Sequence, residues 1–365
     1  MNSQKTIIVT GGAGYIGSHT IIELLALPNY NIVSVDNYSN SSATTYSRIE
    51  MITGKKVKHY AVDLCNKKET ESLFESEKNI EAVIHFAAFK SVPESVENPY
   101  KYYSNNINSL INVLECCLKY KVSNFIFSSS CSVYGNINEL PVKETTPLGK
   151  AESPYAFTKQ IGEEMIKDYA RANPQLQTIA LRYFNPVGAH ISGFIGESPI
   201  NKATSLVPII TNTAVGKIKQ MKVNGSDYAT RDGSCIRDYV HVTDIATAHI
   251  KAMYYLIDKK NKSNFSIFNL GTGNGVSVLE AIAAFEKVSN EKLNYTIGPK
   301  REGDVEAIYS DNSFTEKHLD WKPIFNLDDM MKTAWVWELE QKKKTKRVKQ
   351  TKSNCSINYV GRINY

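Results

Sequence analysis

Tyr155 and Lys159 are the two residues of this chain best suited to move a proton. They stand four positions apart, in a segment that opens with Ser153 and Pro154 and therefore favours the start of a helix. Residues at this spacing share one helix face. A free tyrosine has a pKa of about 10, and a nearby positive charge lowers the pKa of a phenol. The pair indicates a general base for an alcohol.

A glycine-rich turn lies upstream, in residues 11–17, and it predicts what the base works with. The turn follows the β-branched stretch of residues 6–10 and precedes a helical pattern that ends by Pro28. Gly11 permits a tight turn, Gly14 lets a pyrophosphate approach the backbone, and Gly17 lets helix and strand pack closely. The free N–H groups of the helix N-terminus favour phosphates. Glycines alone also fit an ordinary turn.

Asp36 favours the dinucleotide interpretation. It ends a second predicted strand, residues 31–35, about 20 residues beyond the glycines. A carboxylate there accepts hydrogen bonds from a ribose diol and repels a 2′-phosphate, so the sequence predicts NAD rather than NADP. The positive nicotinamide of oxidised NAD adds to Lys159 in lowering the pKa of Tyr155.

Three serines follow a further predicted strand, residues 124–127. Functional groups of open α/β sheets gather at the carboxyl ends of the strands. One hydroxyl of Ser128-Ser129-Ser130 is therefore placed to share the proton of the reacting oxygen. We interpret Ser128 and Ser129 as turn residues.

These features together resemble the UDP-glucose 4-epimerases, a branch of the extended short-chain dehydrogenase/reductase family. The resemblance extends from Thr6 to about Glu338. Its most specific motifs are Leu-Arg-Tyr-Phe-Asn-Pro-Val-Gly-Ala-His at residues 181–190 and Arg-Glu-Gly-Asp at residues 301–304. It implies a tightly bound NAD that is not consumed, and reversible hydride transfer at sugar C4 through a 4-keto intermediate. Tyr155 would remove the 4-hydroxyl proton, Ser130 would bond the same oxygen, and Lys159 would hold the nicotinamide ribose.

The resemblance also implies two sets of binding residues. The NAD set is Gly11, Gly14, Tyr15, Ile16, Gly17, Asp36, Asn37, Asp63, Leu64, Phe86, Ala87, Lys90, Asn105, Tyr155, Lys159 and Tyr183. The UDP-sugar set is Ser130, Ser132, Tyr155, Asn185, Ser205, Leu206, Arg237, Arg301, Asp304 and Ile308. The two arginines can offer guanidinium forks to a diphosphate.

Three positions depart from the family pattern. Ser205 stands where an asparagine is usual, and Asn224 stands where an aromatic residue usually stacks on uracil. At the sugar pocket, Ile308 is smaller than the tyrosine of some members. We therefore expect the N-acetylated substrate UDP-N-acetylglucosamine to be epimerised as well.

Alternating strand and helix patterns predict an α/β fold: a Rossmann-type doubly wound parallel sheet with a smaller mixed α/β substrate domain. We expect residues 1–185 to form the NAD-binding domain and residues 186–340 the UDP-sugar domain. Segments near 237–270 return to the first domain, including a helix over 242–256 capped by Thr243 and a strand over 267–270.

Composition excludes several classes of protein. The 365 residues contain no apolar run of membrane-spanning length and open without a signal-peptide pattern. Six cysteines without metal-ligand spacing indicate reduced thiols, a cytoplasmic location and no metal site. Residues 341–365 carry eight cations and no acid, and without them the net charge of +6 becomes −2.

We therefore expect no nucleic acid or membrane partner for the catalytic part, which the resemblance makes a homodimer. Residues 341–365 are expected to be a disordered basic tail, with weak electrostatic contact to RNA or acidic membrane as the alternative.

Other functions remain open. Another UDP-sugar epimerase, such as one for UDP-pentoses, fits the same motifs, and so does a catalytically silent nucleotide-sugar sensor. A dehydratase needs an extra acid–base pair beside the sugar, and the residues after Ser130 are Cys131-Ser132-Val133, without a carboxylate.

Overall fold

A seven-stranded parallel sheet forms the centre of the protein. The structure is a computed structural model that describes residues 4–137, 139–198, 203–301 and 305–360, with side chains as far as Lys343. The strands are β1 (Lys5–Thr10), β2 (Tyr30–Asp36), β3 (Lys58–Ala61), β4 (Ile80–His85), β5 (Asn124–Ser130), β6 (Gln177–Tyr183), β7 (Asn185–Val187), β8 (Met221–Asn224), β9 (Ile236–His241), β10 (Phe265–Leu270), β11 (Gly275–Ser277), β12 (Tyr295–Gly298) and β13 (Ala307–Ile308). The large sheet has the order β10-β6-β5-β4-β1-β2-β3. This confirms the predicted Rossmann-type doubly wound sheet.

Helices cover both faces of the sheet. They are α1 (Tyr15–Leu25), α2 (Thr44–Thr53), α3 (Lys67–Ser76), α4 (Val92–Glu97), α5 (Pro99–Lys119), α6 (Pro154–Ala172), α7 (Leu206–Ala214), α8 (Val242–Ile257), α9 (Val278–Ser289), α10 (Ser313–Leu319) and α11 (Leu327–Val360). Because side chains alternate along a strand, Ile7 of β1 faces the layer of α1 and α8, and Ile8 faces the layer of α5 and α6. Both isoleucines are fully buried.

Two smaller sheets stand apart from the large one. β9 pairs with β7, β11 and β13, and β8 pairs with β12. Their core is a separate apolar cluster that includes Ile210 of α7, Phe285 of α9 and Met331 of α11. The segment from β9 to β10 contributes to both the small and the large sheets. β9 belongs to a small sheet, whereas β10 is an edge strand of the large sheet and α8 packs on α1.

The topology places a crevice beside β1. The chain proceeds from β1 outward to β3 and then returns to form β4 on the other side of β1. At this reversal the loops after β1 and β4 diverge, and open α/β sheets bind their ligands at the carboxyl ends of such strands. The glycine-rich turn and the segment Phe86-Ala87 are the loops in question.

Two local predictions were wrong. Helix α8 is capped by His241, whose Nδ1 accepts from the Thr243 amide at 3.1 Å, so the cap lies two residues before Thr243. Ser128 and Ser129 are not turn residues, because β5 continues through Ser130 in register with β6.

The basic tail, residues 341–365, was predicted to be disordered; α11 extends to Val360, and residues 361–365 lie outside the described residues. Lysine and arginine have high helix propensity, and an anchored helix can propagate at little cost through such a sequence.

No helix in the described ranges combines the length and apolar character needed to cross a bilayer.

Candidate active site

The glycine turn leaves the first turn of α1 open to a ligand. Gly11 has φ +66°, and a Cβ on it would lie 2.8 Å from the Ala87 amide nitrogen, so the turn after β1 touches the end of β4. Gly14 precedes α1, and no side chain caps the helix there. The N–H groups of this first turn are therefore available to phosphate oxygens.

Asp36 stands at the end of β2, against the same turn. Its carboxylate accepts from the Ala13 amide at 3.0 Å and from the Ser41 hydroxyl at 2.8 Å. The carboxylate therefore fixes the conformation of the turn. Asn37 is exposed, and its side chain accepts from the Ser39 amide.

Helix α6 presents the proton-transfer pair at the carboxyl end of β5. The Ser153 hydroxyl caps α6 as predicted, accepting from the Ala156 amide at 3.2 Å. Tyr155 lies in the first turn, half-buried, and the Lys159 Nζ lies 6.0 Å from the centre of its ring. Lys159 is 4 % exposed and donates to the Ser128 carbonyl oxygen at 2.6 Å. The main chain of β5 thus holds the ammonium beside the phenol.

Ser130 completes this group. Its hydroxyl lies close enough to the Tyr155 phenol to lower the pKa of that phenol. Its oxygen also accepts from the Ser132 hydroxyl at 3.0 Å and from the Ser132 amide at 3.2 Å. An oxygen bound near Tyr155 therefore meets a hydroxyl that is already oriented.

Burial dominates the electrostatics of the pair. It raises the pKa of Tyr155 to about 12, against the lowering effect of the Ser130 hydrogen bond. It lowers the pKa of Lys159 to about 7, against the charge of Glu163. The lowered phenol pKa that Lys159 was predicted to produce is therefore not found in the protein alone. Further positive charge is needed to ionise Tyr155 near neutral pH.

The remaining predicted NAD residues lie on several elements of the fold. The Phe86 amide bonds the Thr10 carbonyl, and the Tyr183 hydroxyl bonds the buried His249 Nε2 at 3.1 Å. Tyr15 donates to the Gly188 carbonyl oxygen at 2.6 Å, and Lys90 pairs with Glu197 at 2.9 Å. Ile16 packs on the core. Asp63 and Leu64 follow β3, and Asn105 lies on α5.

The predicted sugar and uridine residues come from both parts of the chain. Strand pairing sets Ser130 opposite Tyr183, with Asn185 two residues further on, and sets Ile308 opposite Arg237. The Asn185 Oδ1 is buried and finds no hydrogen-bond partner among the described residues. Arg237 donates to its neighbour's carbonyl at 2.8 Å. Burial raises the pKa of the Cys131 thiol to about 12, and the nearby charge of Arg237 opposes that rise. Because Cys131 follows Ser130, the predicted diphosphate residue Arg237 lies near the group formed by Ser130 and Tyr155.

Other members of the set are less closely gathered. Ser205 and Leu206 begin α7, Ile308 is buried against Phe184, and Arg301 is exposed. Asp304 lies outside the described residues.

Sequence reasoning missed a buried ion pair directly behind Lys159. Glu163 and Arg182 are each 2 % exposed, and the guanidinium donates to both carboxylate oxygens at 2.9 and 2.6 Å. The Ser129 hydroxyl donates to the same carboxylate. An acid four residues after the lysine, on the buried face of α6, was the available signal.

Comparison with known proteins decides the family. The family model of GDP-mannose 4,6 dehydratase matches residues 8–334. The UDP-glucose 4-epimerase of Erwinia amylovora is 43 % identical over 333 residues, which cover 91 % of this chain and 97 % of that protein. The chain belongs to the UDP-glucose 4-epimerase family.

Solved structures agree with that membership. The UDP-glucose 4-epimerase of Bifidobacterium longum, in complex with NAD⁺ and UDP, is 45 % identical with a TM-score of 0.87, over 92 % of this chain and 98 % of that one. The UDP-Glc/GlcNAc 4-epimerase of Campylobacter jejuni is 38 % identical with a TM-score of 0.79, over 92 % and 99 %. Within this epimerase family, the predicted resemblance is confirmed.

Proposed function

We propose that this protein is a UDP-glucose 4-epimerase that interconverts UDP-galactose and UDP-glucose, with NAD as its resident cofactor. The observation that carries the proposal is the group Tyr155, Lys159 and Ser130, assembled at the carboxyl end of β5 beside the glycine turn. Relatives 43–45 % identical over 91 % of this chain carry the same enzyme name.

The residues present fit NAD. The uncapped N-terminus of α1 and the close approach of Gly11 to Ala87 make a cradle for a pyrophosphate that a side chain at Gly11 would close. Asp36 lies at the strand end where it can accept from the ribose hydroxyls. Lys159 would bond the nicotinamide ribose.

Tyr155 acts as the base. It takes the proton of the sugar 4-hydroxyl and later returns it, while Ser130 bonds the same oxygen and keeps it in line with the phenol. NAD, when bound, would supply the hydride acceptor for C4 and the hydride donor for the 4-keto sugar. The positive charge that Lys159 carries when protonated favours the Tyr155 phenolate against the burial that raises its pKa, and oxidised NAD would add a second positive charge.

The nucleotide end of the substrate carries most of the binding. The sugar has to present both faces to the same site, so its contacts must be loose. Arg237 is placed to bind the diphosphate, and the buried Asn185 Oδ1 can accept a hydrogen bond from the substrate. Arg301, Ser205, Leu206 and Asp304 belong to the proposed uridine–diphosphate site.

The size of residue 308 supports N-acetylated substrates as well. Ile308 is 5 % exposed in β13, paired in register with Arg237. A branched aliphatic side chain leaves more room than a tyrosine. The Campylobacter jejuni relative is named for both UDP-Glc and GlcNAc.

We also infer a cytoplasmic homodimer. The described cysteines Cys65, Cys116, Cys117, Cys131 and Cys235 are all free thiols, which suits a reducing compartment. Val96, Tyr100 and Phe157 expose apolar surface on α4, α5 and α6 and would be covered in a two-helix contact between copies.

The test is to mix the purified protein with UDP-galactose without added NAD. We expect UDP-glucose to accumulate to an equilibrium mixture, and NAD to be released when the protein is denatured. Binding of UDP-galactose without conversion would instead indicate a sensor, and conversion of UDP-pentoses alone would indicate another epimerase; either result would overturn the proposal.

A further inference from the structure

Three elements that carry the reacting group meet at one buried carboxylate. Glu163 follows Lys159 by one turn of α6. Its carboxylate oxygens accept hydrogen bonds from the Arg182 Nε and Nη2 on β6 and from the Ser129 hydroxyl on β5. Strand pairing sets Ser129 opposite Arg182, one residue before Ser130 and Tyr183. Each partner of Glu163 therefore adjoins a residue of the site.

We infer that Glu163 is a positioning residue: its ion pair with Arg182 locks α6, β5 and β6 together, and the balance of the two charges sets the pH range in which Tyr155 and Lys159 exchange protons. The inference rests on the proposed function and adds to it a residue pair that touches neither NAD nor substrate.

The geometry argues for locking rather than simple stabilisation. A bidentate guanidinium–carboxylate pair fixes both the distance and the orientation of its two elements. Both side chains are buried, so water does not screen them. Arg182 also lies over the ring of Tyr134, 4.8 Å from its centre, which holds the guanidinium from a second side. A shift of α6 along the sheet would break all these contacts at once.

The Glu163–Arg182 pair supplies the charges that lie behind Tyr155 and Lys159. The titratable groups around Lys159 and Tyr155 come from every neighbouring element: Glu163 on α6, His85 on β4, Cys131 after β5, Arg182 and Tyr183 on β6, and His249 on α8. Burial keeps the two histidines, the thiol and Tyr183 neutral at working pH, because it lowers the pKa of the histidines to about 3 and about 4 and raises the pKa of the thiol and the phenol. Of this group, Glu163 and Arg182 form the buried ion pair.

Removing one charge should therefore move the whole pH profile, and in a direction set by its sign. Glu163→Gln leaves a surplus positive charge, which lowers the pKa of both Lys159 and Tyr155. The profile of kcat/KM should shift to lower pH by about one unit. Arg182→Gln leaves a surplus negative charge, so the profile should shift to higher pH by about the same amount.

Charge and geometry separate in two further variants. Arg182→Lys keeps the charge but cannot form two parallel bonds, so the pH profile should stay in place while kcat falls about tenfold. The double variant Glu163→Gln, Arg182→Gln removes both charges, so its profile should return to within about 0.3 pH units of the unmodified enzyme. Glu164→Gln is the matched control, because Glu164 is the next residue of α6, exposed and paired with Lys167 at 3.4 Å. It should change neither kcat nor the profile.

The experiment measures UDP-galactose epimerisation between pH 5.5 and about 10 for each NAD-loaded variant, together with the absorbance titration of the Tyr155 phenol relative to Tyr155→Phe. Opposite shifts in the two single variants support the inference. Coincident pH profiles, or shifts in the same direction, overturn the inference. A displaced pH profile in the double variant also overturns it. The double variant provides the deciding measurement if a single variant does not fold.

The phenol titration does not need turnover. If the unmodified protein fails to epimerise UDP-galactose, the proposed function falls, while opposite displacements of the phenol titration still support the role of Glu163 and Arg182, and equal ones still refute it.

Discussion

Four buried histidines should make this protein progressively less stable as the pH falls below about 6.5. Burial lowers the pKa of His19 and His85 to about 3 and of His241 and His249 to about 4. Two of them contact residues near the proposed NAD crevice: His85 bonds the Thr10 hydroxyl at 2.9 Å, and His249 bonds Tyr183. The folded state keeps them neutral, whereas the unfolded chain protonates them near pH 6.5.

The sign follows from proton uptake. Below about pH 6.5 the histidines bind protons in the unfolded state but not in the folded state. The free energy of unfolding is therefore highest above that pH and falls continuously as the pH is lowered to the folded pKa values of 3 to 4. At pH 5 each histidine costs about 2 kcal/mol, and the four together cost about 8 kcal/mol. Burial raises the pKa of Asp244 to about 6, so at pH 5 the folded state binds a proton there that the unfolded state does not. This proton uptake offsets about 1 kcal/mol of the loss. The remaining loss is comparable to the whole stability of many proteins.

The assay is urea unfolding of the NAD-loaded protein at pH 7.5 and at about pH 5. We expect the free energy of unfolding to fall by about 7 kcal/mol, and His249→Gln to reduce that fall by about 2 kcal/mol whatever it does to stability at pH 7.5. A fall below about 2 kcal/mol in the unmodified protein, or an equal fall in the variant, would refute the reasoning.

Three further outcomes are expected. Asp36→Asn removes the charge-assisted acceptor for the ribose and should cost about 2 kcal/mol of NAD affinity, seen as NAD lost during gel filtration; full retention would contradict the assigned role. Ile308→Tyr should lower turnover of UDP-N-acetylglucosamine at least tenfold more than turnover of UDP-glucose, in parallel product assays, and equal losses would mean that residue 308 does not border the sugar. Deleting Lys342–Tyr365 should leave kcat within about twofold, because the buried Trp337 and the α11 core residue Met331 remain; a dead truncation would show that the basic segment takes part in the site.

Local patterns of the sequence were sufficient to predict the elements that hold the cofactor. β1, the glycine turn, α1 and β2 follow from β-branched runs, helical spacing and the positions of Gly11 and Asp36. Ser153 and Pro154 mark the start of α6 by capping chemistry that involves only neighbouring residues. The alternating pattern of strands and helices predicted the parallel sheet, whereas the order of its strands came from the structure.

Contacts between distant segments were not predictable in this way. The partner of Glu163 is 19 residues away on another element, and nothing in the local pattern around Arg182 identifies it. The strand residues Ser128 and Ser129 were mistaken for a turn because their pairing with β6 is set by tertiary structure, which overrides serine's low strand propensity. The burial of Tyr155 was not predictable for a related reason: the spacing to Lys159 is visible in the sequence, but the packing that raises the pKa of the phenol in the protein alone is not.

The central claim is that the Tyr155 phenol removes and returns the proton of the sugar 4-hydroxyl. The most direct test compares Tyr155→Phe with the unmodified protein, both NAD-loaded and correctly folded, in the conversion of UDP-galactose to UDP-glucose. We predict a loss in kcat of about a thousandfold with unchanged NAD content and thermal stability. Epimerisation at the unmodified rate by the phenylalanine variant would contradict the claim.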